Sequence, residues 1–167
     1  MDVFSNECDG RGADPDRVAA LIHARRTVLP KRLQAPGPDT QAFAQIMGAA
    51  AAAPDHKQLQ PWRFVCVPPE QRETLGDLFA QALLERDATA TVAQQAEARE
   101  KAFRAPTLLL LIVDAAIGDP SIDFAERMIS AGCAVQNILL MATALGFGSS
   151  LTSGKALKSL ALRAHLG

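Results

Sequence analysis

Three stretches of this chain gather side chains able to do chemistry. Arg25-Arg26-Thr27 places two guanidinium forks beside a hydroxyl, a set suited to gripping a phosphate bidentately. Arginines closing a helix also complement its dipole, so the triplet by itself leaves both readings open. Ala53 to Trp62 packs a carboxylate, an imidazole, two amides and an indole into ten residues. An imidazole there, His56, can serve as acid or base near neutral pH, but one histidine without a nucleophile beside it defines no reaction. A ligand loop and a plain polar connector are both open. Gly146-Phe147-Gly148-Ser149-Ser150-Leu151-Thr152-Ser153-Gly154 offers backbone N–H groups and hydroxyls in the manner of an anion cradle.

Several chemistries are excluded by the same rows. The glycine-rich stretch lacks the Gly-Lys-Ser/Thr ending of a nucleoside triphosphatase loop and follows a helix instead of a strand. No G-x-G-x-x-G after a strand provides a dedicated dinucleotide fold. Cys8, Cys66 and Cys133 lie far apart, and three histidines cannot complete a zinc set with them, so neither a metal nor a disulfide framework is expected. Cys133 reads as a core residue, since a buried thiol is raised in pKa and inert. Lys and Arg number 17 against 18 Asp and Glu, a net charge of −1, which argues against nucleic acid or an anionic membrane as a partner.

The elements that position these stretches follow from composition and period. With 31 alanines, no tyrosine and one tryptophan in 167 residues, helix should outweigh sheet. Residues 1–13 read as a loose leader and 14–167 as a single domain. Asp2, Glu7, Asp9, Asp14 and Asp16 break any apolar secretory signal, so a cytoplasmic location is expected. Asp14 and Pro15 open a helix running through Arg25, and Asp39 or Thr40 opens another that Pro54 ends. Trp62 to Val67 and Leu108 to Val113 are strand runs, the second far short of the roughly 20 residues that cross a bilayer. Between them, Glu70–Arg86 and Thr89–Arg104 read as charged helices, solvated or a mobile cover, with Glu97 four residues before Lys101. A long helix from near Asp123 is apolar on nearly every side from Ala131 to Phe147, so it must be central or lie at a subunit interface. A final helix runs from Gly154 to the end. The fold class is α+β, with two or three strands.

Arg25-Arg26-Thr27, Ala53-Pro54-Asp55-His56 followed by Gln60-Pro61-Trp62-Arg63-Phe64, Arg104-Ala105-Pro106, Ser130 through Asn137 and Gly146-Phe147-Gly148 resemble, in order and spacing, the nitroreductase family and its small, minimal branch. The resemblance runs from about Val18 to Gly167. It implies a helix-rich α+β homodimer with a small, mostly antiparallel sheet around a central apolar helix, holding FMN in two sites at the subunit interface. It implies electron flow from NADH or NADPH through flavin to a nitroaromatic, quinone or related small-molecule acceptor. Arg25, Arg26 and Thr27 match the family's phosphate- and flavin-binding motif. Ala52 and His56 match positions that reach the flavin from the partner subunit, and Leu151, Thr152 and Ser153 match a segment lying along the isoalloxazine. Ala142, Thr143, Ala144, Leu145, Gly146 and Phe147 match the stretch brought near the nicotinamide. No protein side chain need act as an acid, so no catalytic residue is assigned. Leu151 stands where many relatives carry Trp, which predicts weaker stacking on the flavin. Relatives continue beyond the equivalent of Gly167 with another strand and a tail packed on the partner, so the last strand is expected to be missing here, with looser dimerisation and weaker FMN retention as its consequence. A flavin-binding or interaction protein without turnover is the rival reading.

Overall fold

Asp14 and Asp39 start the first two helices in the same way. In the computed structural model, which describes residues 12–166, the Asp14 carboxylate accepts from the Asp16 N–H at 3.0 Å and opens α1 (Pro15–Ala24), with Pro15 spending no needed donor in the first turn. The Asp39 carboxylate accepts from the Ala42 N–H at 2.8 Å and opens α2 (Thr40–Ala51). Almost all of the expected leader lies outside the described residues.

The aromatic and β-branched runs form β1 (Trp62–Cys66) and β2 (Leu109–Val113), paired antiparallel with Trp62 opposite Val113 and Cys66 opposite Leu109. The ladder extends at each end, where Asp114 N–H donates to the Pro61 carbonyl at 2.7 Å and Val67 N–H to the Leu108 carbonyl at 3.0 Å. Helices predominate over this two-stranded sheet, which is the α+β class expected.

α3 (Arg72–Arg86) and α4 (Val92–Glu100) are more than a solvated cover. Gly76 lets them touch, since a Cβ there would stand 3.2 Å from the Arg99 carbonyl. Leu75, Gly76, Ala82, Ala98 and Ala102 are buried between and beneath them, and Leu75 and Ala102 join Val67 and Leu162 in a core cluster. The charged residues that misled the sequence reading lie on the outer rims, where Arg99 bridges to Glu73 at 2.9 Å and to Asp77. The second of these helices is also shorter than the expected 89–104. Thr91 starts it with a capping box closed by Gln94, and a 3₁₀ turn over Lys101–Phe103 finishes it.

α5 (Phe124–Ala144) begins at Asp123 and packs along α2, with Asn137 donating to the Ala49 carbonyl at 3.0 Å. One stripe of it is buried, including Ser130, Ala131, Ala134, Val135 and Ala142. Exposed large apolar residues are confined to its first two turns, Phe124, Met128 and Ile129 at 49%, 45% and 68%, whereas the large apolar residues from Ala131 to Phe147 are buried or half-buried. Gly146, at φ 83°, ends it in a Schellman motif: its N–H donates to the Thr143 carbonyl at 3.0 Å and the Phe147 N–H to the Ala142 carbonyl at 2.8 Å. The expected final helix is divided at Ser159 into a 3₁₀ turn (Lys155–Lys158) and α6 (Leu160–Leu166), whose Leu162 reaches the core. No described helix is long and apolar enough to cross a membrane.

Candidate functional site

The arginine triplet and the glycine-rich stretch, 120 residues apart in sequence, meet in space. Arg25 caps the C-terminus of α1, its N–H on the Leu21 carbonyl at 3.2 Å and its side chain half-buried. Thr27 then forms a parallel bridge with Ser149, and Val28 N–H donates to the Ser149 carbonyl at 3.0 Å. Gly148 makes this approach feasible, because a Cβ would come within 3.1 Å of both the Val28 and Leu33 side chains. Beside the junction Thr27, Thr152 and Ser153 are exposed, as is Leu151 at 63%. The Ser149 hydroxyl is buried there and has no hydrogen-bond partner among the described residues. A buried polar atom left unpaired is costly, so its presence at this junction calls for an explanation that the described residues do not supply.

Arg26 behaves as the plainer reading of the triplet allows. Its guanidinium donates to the Arg25 carbonyl at 2.9 Å and to the His23 carbonyl, satisfying the orphan acceptors of the last turn of α1. In the 142–147 stretch, Ala142 is buried and Thr143 donates its hydroxyl to the Leu139 carbonyl at 2.8 Å. Ala144 and Gly146 are exposed, while Leu145 and Phe147 are half-buried around the helix end.

The third stretch lies elsewhere. Ala52 is the exposed C-cap of α2, and the chain then turns through His56–Gln58 into β1. This turn is held in an uncommon shape, with Lys57, Gln58 and Gln60 at φ 56°, 55° and 46°. Four contacts hold it there. His56 Nδ1 is 2.8 Å from Glu126 Oε2, Lys57 donates to Asp119 Oδ2 at 2.6 Å, Gln60 N–H donates to the Asp55 carboxylate, and Leu59 lies against Gly118, where a Cβ would come within 2.2 Å. The Lys57 ammonium, with the hydroxyl and N–H of Ser121, holds the Asp119 carboxyl well below the usual carboxylate range. Beneath, the fully buried Arg127 donates to the carbonyls of Ile122 (3.0 Å), Ile117 (2.8 Å), Asp119 (2.8 Å) and Asp114 (3.4 Å), fixing the 114–122 loop on which Lys57 and Leu59 rest.

The nitroreductase family model matches residues 22–167, taking in both the arginine–serine junction and the His56 turn. The chain belongs to the nitroreductase family. A protein of Escherichia coli K12 named "Putative NAD(P)H nitroreductase YdjA" is 34% identical over 155 residues, covering 91% of this chain and 80% of that protein. Among solved structures, a nitroreductase from Bacteroides fragilis with bound FMN superposes with a TM-score of 0.67 at 24% identity, over 89% of this chain and 77% of that one. The FMN-dependent nitroreductase NfnB from Mycobacterium smegmatis, in complex with NADPH, gives 0.70 at 18% identity, over 92% and 82%.

Within this nitroreductase-family protomer the two groups of residues occupy opposite ends of α5. His56 pairs with its first turn, through Glu126, whereas the Thr27–Ser149 junction follows its last. A 21-residue helix is roughly 30 Å long. Within one chain His56 and Arg25 therefore stand apart. The sequence points to Ser149 only as one member of the hydroxyl-rich stretch, and it gives no sign of Glu126, Asp119 or Arg127. Glu126 and Asp119 meet their partners across 70 and 62 residues, and no local spacing announces that.

Proposed function

We propose that this protein is an FMN-dependent NAD(P)H oxidoreductase working as a homodimer in the cytoplasm, with a nitroaromatic, quinone or related small molecule as electron acceptor. The observation that carries the reading is the unpaired, buried Ser149 hydroxyl at the junction of Arg25–Thr27 with the glycine-rich stretch. The donor set there fits a flavin mononucleotide: a guanidinium for phosphate, and the hydroxyls of Thr27, Ser149, Thr152 and Ser153 with neighbouring N–H groups for the polar atoms of ribityl chain and ring. Flavin, when bound, supplies acceptance of a hydride from the nicotinamide and delivery of its electrons to the acceptor.

The protein's own residues bind and orient. Arg25 anchors the phosphate end, and Leu151, Thr152 and Ser153 line the ring. Leu151 offers an apolar surface without the stacking a tryptophan gives, which leaves the ring face more open. Ala144, Gly146 and Phe147, at the end of α5, border the place where the nicotinamide ring stands. Ala52 and His56 close the site from the second protomer. The exposed Phe124, Met128 and Ile129 at the start of α5, with Val18 and Ile22 on α1 at 42% and 50% exposure, form the apolar surface on which that protomer packs. A two-fold axis across α5 puts the N-terminal end of one copy beside the C-terminal end of the other, uniting His56 of each chain with the junction of its mate.

The absorption spectrum of purified protein mixed with FMN, followed by steady-state NAD(P)H oxidation with menadione or a nitroaromatic, tests this. Flavin bound by a dimer and turnover with an acceptor are expected. Bound flavin without NAD(P)H oxidation would leave a binding protein, and no flavin binding would end the reading altogether.

A further inference from the structure

Glu126 is a residue that no motif of this chain contains, yet it makes the sole polar contact recorded for the His56 ring among the described residues. An ionised carboxylate can only accept, so Nδ1 of His56 must be the donor across the 2.8 Å contact. That choice determines the chemistry of the other nitrogen. With the proton held on Nδ1, a neutral ring offers Nε2 as a bare acceptor, directed away from Glu126. The turn carrying His56 has little freedom to drift. Three left-handed residues, the Lys57–Asp119 contact on one side and the Arg127-braced 114–122 loop beneath it define where the ring stands.

We propose that Glu126 is a positioning residue that sets the tautomer and aim of His56, so that Nε2 meets a hydrogen-bond donor of the ligand bound at the partner's Arg25–Ser149 junction. This deepens the flavin reading and rests on it: an isoalloxazine or ribityl group carries N–H and O–H donors that a bare Nε2 can accept from. The charged groups of the neighbouring segments have partners of their own: Lys57 pairs with Asp119, the Asp55 carboxylate accepts from Gln60 N–H, Asp123 accepts from Phe124 N–H, and the Arg127 guanidinium is enclosed by carbonyls. None of them is recorded as competing for Nδ1.

The test uses nitrogen-15 spectra of the histidine rings in cofactor-free protein, with His56→Gln identifying the signal among three histidines. Wild type and Glu126→Gln, whose side-chain carbonyl still accepts, should hold the proton on Nδ1, and Glu126→Ala should release it to a tautomer mixture. FMN titrations complete the test. Glu126→Ala should weaken FMN about five- to tenfold, the size of one lost hydrogen bond to a charged or oriented partner, with recovery in Glu126→Gln. In a His56→Gln background Glu126→Ala should have no further effect, an outcome a merely structural role would not give. An unchanged tautomer in Glu126→Ala, or an equal loss of affinity in both backgrounds, overturns the proposal. Should wild type bind no FMN, the flavin reading fails by itself, and the ring spectra still decide whether Glu126 sets the tautomer.

Discussion

At the level of single residues, the Ser149 hydroxyl and the Arg25 guanidinium are where the proposed flavin site can be told apart from what holds the fold. A hydroxyl buried without a partner gives the free protein nothing and costs desolvation, so Ser149→Ala should leave the thermal midpoint of cofactor-free protein unchanged or slightly raised while weakening FMN binding. A parallel fall of stability and affinity, followed by calorimetry and flavin titration, would mean the hydroxyl has a protein partner. Arg25→Ala should cost about 1.5–3 kcal/mol of FMN affinity, roughly ten- to a hundredfold, from one charge-assisted phosphate contact. Arg17→Ala, on the exposed surface of α1 and paired with Asp14 among the described residues, should cost none. Equal dissociation constants for the two variants would remove Arg25 from the site. These residue types were visible in the sequence because guanidinium, hydroxyl and glycine clusters are local. The division of labour between neighbours was not: Arg26 turns back onto the end of α1, which depends on where the helix stops.

Between elements, the turn from α2 into β1 is held by side chains that belong to other parts of the chain, and its stability should carry their signature. Asp119 titrates well below an ordinary aspartate because of Lys57 and Ser121. Its folded pKa lies below the unfolded value of about 3.9, so its contribution to stability is fully present above roughly pH 4 and is lost as pH falls further. Asp119→Asn should therefore lower stability near neutrality and make the decline below pH 4 shallower than in wild type, measured by denaturant unfolding across the acid range. Parallel acid limbs would show that the Lys57 contact does not persist in solution. Arg127→Met leaves the carbonyls of Asp114, Ile117, Asp119 and Ile122 without their shared donor and should cost about 3 kcal/mol or more. A loss under 1 kcal/mol would mean the loop finds other donors. The helices and strands themselves were legible: Asp14, Asp39 and Asp123 announce helix starts, and Gly146 announces an end. The role of α3 and α4 was not, since their charge pattern conceals the buried Leu75, Gly76 and Ala98, and only the tertiary approach through Gly76 reveals it.

For the molecule as a whole, the apolar stretch from Ala131 to Phe147 called for cover, and the structure buries or half-buries its large apolar residues while leaving Phe124, Met128 and Ile129 exposed at the start of the helix. His56 and the Thr27–Ser149 junction stand at opposite ends of α5, the separation on which the proposed dimer rests. In the proposed reading two electron carriers use one shared flavin face in turn. The most direct measurement is anaerobic mixing of the FMN-loaded protein with NADH or NADPH, followed by addition of menadione or a nitroaromatic. The visible flavin band should bleach with the nicotinamide alone and return when acceptor is added, with parallel double-reciprocal plots at steady state. A flavin band that the reduced nicotinamide leaves unchanged until the acceptor is also present, with intersecting plots, would contradict that reading.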